Sequence, residues 1–153
     1  MQEERVEDSA VRLAQSQAKE KARRERVARE GTEAAYRETL EVFVALEEIG
    51  AKVAQEVPLE ARRPESGRVV MAVEARRASA FIELLDQELQ VRQSHRRPAP
   101  DDDEWVQGER WEAILDLDEQ DHWGWRVRNE PNLLSNRDLA NRVLEKVLKK
   151  NAA

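Results

Sequence analysis

WVQGERWEAILDLDEQDHWGWRVR, residues 105–128, holds all four tryptophans of the chain and its clearest two-residue alternation. Trp111, Ala113, Leu115 and Leu117 alternate with Glu112, Ile114, Asp116 and Asp118, and Trp123, Trp125 and Val127 alternate with Gly124, Arg126 and Arg128. A period of two marks strands buried on one face. Antiparallel partners share a face, so the apolar sets meet only in an even register, with Leu117 opposite Trp123 or Trp125. That register also sets carboxylates opposite arginines on the other face. The stretch predicts a small antiparallel hairpin or meander, preceded by a short strand at Trp105 and Val106 that turns at Gln107 and Gly108.

Downstream, Ser135 is placed to cap a helix with Asp138 at its third position. Leu139, Val143 and Val147, with Ala140, Leu144 and Leu148 beside them, give that helix an apolar face, and Lys146, Lys149 and Lys150 suit the negative end of its dipole. It is expected to cover the tryptophans, closing a small ββα unit over 105–153.

Upstream the chain reads as helix. Tyr36, Leu40, Phe43, Leu46, Gly50, Val53 and Val57 keep helical spacing from a cap at Thr32 to the break at Pro58, and PLEARRPES reads as a short connector. Met71, Ala75, Ala78, Ile82, Leu85 and Leu89 then step by four and three, a heptad-like seam, although the β-branched start RVVMAV also suits a strand. Residues 31–95 are therefore expected to form a helical hairpin with coiled-coil character. Its apolar faces are too wide for one partner, so the hairpin is expected to homodimerise through Met71, Ala78, Ile82, Leu85 and Leu89, to pack against the tryptophan sheet, or both. Residues 96–104, with two prolines and a run of acids, read as a linker. Residues 1–30 read as a charged helical arm with a thin stripe of Val6, Ala10 and Leu13. The expected class is α+β, mostly α: N-terminal long helices, then the small sheet packed by the C-terminal helix.

Composition narrows function. The 153 residues carry a net charge of −6, which disfavours indiscriminate binding to nucleic acid or anionic membrane. Cysteine is absent, removing thiolate metal sites and cysteine nucleophiles. No apolar run suggests a leader or a span, so a cytoplasmic protein is expected. Arginine far outnumbers lysine, which suits a GC-rich bacterial or phage genome. Glycine-rich phosphate loops, GxSxG and HExxH are all absent from the sequence, and no catalytic residue, cofactor or metal site is assigned.

Three clusters remain. Residues 101–122 hold ten carboxylates against the single Arg110, and Asp101, Asp102, Asp103, Glu104, Asp116, Asp118 and Asp121 are candidates for meeting a basic partner protein. The same acids are equally placed to pair with the protein's own arginines. DLDEQDH, with His122, has the donors for a divalent ion but matches no known loop spacing. Strand parity puts Trp111, Trp123 and Trp125 in the core and leaves Trp105, beside the acids, as a partner-binding hot spot. Lys19, Lys21, Arg23, Arg24, Arg26 and Arg29 form a basic run that suits either a solvated helix or phosphate contacts. The expected function is a non-enzymatic protein–protein interaction module; the alternative is a nucleic-acid-binding regulator using the basic helix.

Overall fold

A computed structural model describes residues 2–101 and 103–153, with side chains from Asp8 onward. Helix α1 (Gln2–Val53) is followed by strands β1 (Leu59–Arg62), β2 (Val70–Ala75), β3 (Ala78–Leu85), β4 (Glu88–Arg96), β5 (Trp105–Leu117) and β6 (Trp123–Val127), then helix α2 (Asn136–Ala152). The strands form one antiparallel meander in sequence order, a curled sheet. Both helices pack on one of its faces and against each other.

This overturns the helical hairpin, the coiled coil and the separate small sheet. Helix makes up 43% and strand 32%, so the chain is not mostly α. The seam residues sit in strands: Met71 opposes Ile82, which opposes Val91. Ala78, Ala80 and Ile82 face the helices at 2% exposure or less, as do Met71, Val73, Leu89 and Val91. The helical pattern was a coincidence of spacing across three strands. The physical reason for the sheet is burial. A two-helix hairpin leaves broad apolar faces in water, whereas a sheet under α1 and α2 hides one face of every strand at once. The β-branched run at Val69, Val70 and Val73 suits the pleat.

PLEARRPES contains the edge strand β1, whose position next to Pro58 costs no ladder hydrogen bond. Residues 97–104 close the β4–β5 hairpin, with Arg97 N–H donating to the Glu104 carbonyl at 3.0 Å. The turn expected at Gln107 and Gly108 is instead a bulge within β5, where the register shifts between Arg92 and Ser94. The tryptophan strands are the last two of the six, with Leu117 opposite Trp123 and Leu115 opposite Trp125.

Helix α1 runs from the β5–β6 turn across to β1. Gly31 sits so close to the β3–β4 turn that a Cβ there would come within 2.7 Å of the Gln87 side chain. Beyond it, every side chain from Asp8 to Ala22 is exposed, Ala10 and Leu13 included; the Val6 side chain lies outside the described ones. The packed half buries Ala34, Ala35, Val42, Phe43 and Leu46. Among them Thr39 is fully buried and its hydroxyl has no hydrogen-bond partner. An unsatisfied buried hydroxyl is destabilising, so Thr39→Val is expected to raise stability by about 1 kcal/mol in thermal or urea unfolding. Helix α2 begins at Ser135, whose side chain accepts from Asp138 N–H at 3.1 Å. No helix among the described residues is long and apolar enough to cross a membrane.

Candidate interaction face

With α1 and α2 on the inner face, the outer face of the sheet is left to water. Strand β4 shows the division: Leu89, Val91 and Gln93 are buried on the inner side, while Gln90, Arg92, Ser94 and Arg96 point outward. Register then sets rows across the outer face. One row runs Ala72, Phe81, Arg92, Arg110 from β2 to β5, and its neighbour runs Glu74, Ser79, Ser94, Gln107. Beyond them Arg96 stands opposite Trp105. The small serines between long side chains leave a cleft of about 180 Å³.

Two arginines lie on aromatic rings. The Arg92 guanidinium is 4.9 Å from the Phe81 ring centre and that of Arg96 is 4.8 Å from Trp105. Trp105 nevertheless stays 42% exposed. Arg92 and Arg110 are direct cross-strand partners, a like-charged arrangement that is unfavourable without a counter-ion. Neither has a carboxylate partner among the described residues. Glu74 of the neighbouring row is held by Arg62 at 3.1 Å.

The candidate acids do not form one surface. Asp101, Asp103 and Glu104 are exposed beside Trp105, with Glu104 within 3.4 Å of Arg97; Asp102 lies outside the described residues. Asp116, Asp118 and Asp121 are at the other end of β5, roughly 40 Å away for a 13-residue strand. Asp116 is bound by Arg126 at 2.6 Å. Asp118 accepts from the N–H groups of Gln120 and His122 at 2.8 and 2.9 Å and so orders its turn. Those hydrogen bonds, His122's first, hold the Asp118 carboxyl below the ordinary aspartate value, with Arg23 adding a weaker attraction and partial burial opposing it. A depressed pKa stabilises the fold above the unfolded value of about 3.9, and that contribution is lost as pH falls through the folded value. Asp118→Ala is therefore expected to lower the melting temperature at pH 7. The gap from wild type should close as the pH is taken below 3.9 in a series of thermal melts.

The basic run meets this acidic tip. Arg26 donates to the Asp121 carbonyl at 3.4 Å and lies 5.4 Å from the Trp123 ring centre. Arg26 also pairs with Glu30, and Arg23 and Arg24 both pair with Glu20. Lys19, Lys21 and Arg29 are exposed without an ion-pair partner among the described residues. Of the five self-association candidates, Met71, Ala78, Ile82 and Leu89 are core and only Leu85, 51% exposed, reaches the surface. No group of three acids or histidines among the described residues is arranged to hold a metal ion.

A larger groove of about 480 Å³ lies where the β5 bulge meets the end of α2. Gly108 fits there against His95, since a Cβ would come within 3.1 Å of its Nδ1. Of its charged residues, Lys146 pairs with Glu109 and Arg142 with Glu130, while Glu145, Lys149 and Lys150 are in no ion pair among the described residues. Sequence reading missed Phe81, Arg92 and Arg110. The signal available was the alternation of QVRQSHR and the isolation of Arg110 among acids. No family model, curated protein or solved structure matches the chain.

Proposed function

We propose that the protein is a non-enzymatic protein–protein interaction module that takes its partner on the outer face of the sheet, at the Arg96–Trp105 end. The observation that supports it is a six-stranded sheet with both helices on one side and an exposed tryptophan on the other. Five strand spacings and strands of about eight residues give a face of roughly 600 Å² in projection, of the order of one partner's share, about 800 Å², of a standard interface. Trp105 supplies the large amphipathic side chain that such interfaces concentrate at their centres, and Asp101, Asp103 and Glu104 supply a polar rim. The nucleic-acid alternative has less support, because Arg23, Arg24 and Arg26 are already engaged within the chain.

A photo-crosslinking residue at exposed Gln107, beside Trp105, tests this in cells of the protein's own source. The expected result is a discrete adduct that disappears when Trp105→Ala is added, with none from the same probe at Glu119 on the far hairpin turn. Absence of an adduct at 107, or one indifferent to Trp105→Ala, would contradict the reading.

A further inference from the structure

We infer that Arg92 and Arg110 bind the phosphate group of a phosphorylated side chain on that partner, an inference that rests on the interaction reading and gives it a chemistry. The starting point is the opposition of the two arginines. Directly opposed cross-strand residues have Cβ atoms roughly 4.5–5.5 Å apart, so two unneutralised guanidinium groups here repel each other in the free protein. A ligand bearing two negative charges removes that penalty. One carboxylate is satisfied by a single bidentate arginine, whereas a phosphate monoester carries close to two charges and three acceptor oxygens, enough for two.

The surroundings fit the same group. Ser79 and Ser94 oppose each other in the adjacent row, and neither hydroxyl has a hydrogen-bond partner among the described residues, so both are free to donate. Phe81 lies under Arg92, 4.9 Å from ring centre to guanidinium, and a guanidinium resting on a ring keeps its N–H donors for a ligand. The cleft, about 180 Å³ and open, is below the roughly 300–1,000 Å³ of sites that enclose a nucleotide-sized ligand. It suits a phosphate presented on an extended chain. Along β4, Arg92 and Arg96 are separated by about 13 Å at strand rise, which an extended peptide covers in about four residues. The phosphate therefore sits about four positions from an apolar residue that meets Trp105.

Fluorescence anisotropy with the full chain tests the inference. The probes are a phosphoserine peptide pool, with leucine four positions to either side and random neutral residues elsewhere, and the same pool unphosphorylated. The phosphorylated pool should bind at least tenfold more tightly. R92Q and R110Q, each with an unchanged circular dichroism spectrum, should each weaken it about tenfold, while R12Q on the exposed N-terminal half of α1 has no effect. W105A should abolish the advantage of leucine and keep that of phosphate. Equal binding of the two pools, or insensitivity to R92Q and R110Q, would overturn the inference. So would inorganic phosphate competing as tightly as the peptide, which would make the site one for a free anion. If the pool fails to bind while the Gln107 adduct persists, the phosphate chemistry is wrong and the interaction reading stands; loss of both removes both.

Discussion

Ile82→Asp is expected to unfold the protein, whereas Leu85→Asp leaves its stability within about 0.5 kcal/mol of wild type. Ile82 is 1% exposed at the centre of the sheet, between Met71 of β2 and Val91 of β4, and faces both helices. A carboxylate there loses its hydration and finds no partner, while the isoleucine contacts vanish; the combined cost is about 4 kcal/mol or more. That is a large part of the roughly 5–15 kcal/mol that holds a domain of this kind together. Leu85 is 51% exposed on the outer side at the end of β3, and a charge there meets water. A helical seam would place both residues in one interface and make the two substitutions similar. Urea unfolding of the pair, with circular dichroism as readout, separates the two architectures.

Trp125→Ala is expected to cost about 3–5 kcal/mol. The ring is fully buried, and its Nε1–H donates to Asn136 Oδ1 at 2.7 Å. The Asn136 amide in turn donates to Glu38 of α1 at 2.7 Å. One side chain thus ties β6, the first turn of α2 and the middle of α1 into a single chain of hydrogen bonds. Alanine leaves both a cavity and an unpaired Asn136 oxygen. Trp125→Phe keeps most of the volume and loses only the donor, so a smaller loss of about 1–2 kcal/mol is expected. If the two variants unfold at the same denaturant concentration, the hydrogen-bond chain contributes nothing and only the volume matters.

The sequence was most legible where one face alone is buried and the turns are chemically marked. Residues 111–117 and 123–127 alternate with Ile114 as the one large apolar exception and enclose a polar turn, and 135–147 carry a cap and a 3.6-residue stripe. It was least legible over 69–96. There Phe81, Glu83 and Leu85 put large or buried side chains on the outer parity, so the two-residue period is blurred. The turns at Arg76–Arg77 and Asp86–Gln87 contain no glycine, proline or asparagine to mark them. Asp86 takes a positive φ of 60° that aspartate tolerates better than most residues. Across those unmarked turns, Met71, Ala78, Ile82 and Leu89 happen to keep a heptad interval. The candidate site suffered for the same reason. Trp105 stood out by composition alone, but Arg92 and Arg110 are 18 positions apart and become neighbours only through the β4–β5 register. The split of the acids between two ends of β5, and the meeting of the basic run with the hairpin tip, are likewise consequences of register and helix direction.

The most direct test of a sheet with one covered and one open face uses the absence of cysteine from the chain. Single cysteines placed in turn at residues 79–82 and 89–94 report accessibility through their rates of thiol labelling under native conditions. Rates are expected to alternate, fast at 79, 81, 90, 92 and 94 and at least tenfold slower at 80, 82, 89, 91 and 93. A three-to-four-residue period, or protection of residues 81 and 92 to the level of 82 and 91, would contradict both the fold and the open face on which the proposed partner docks.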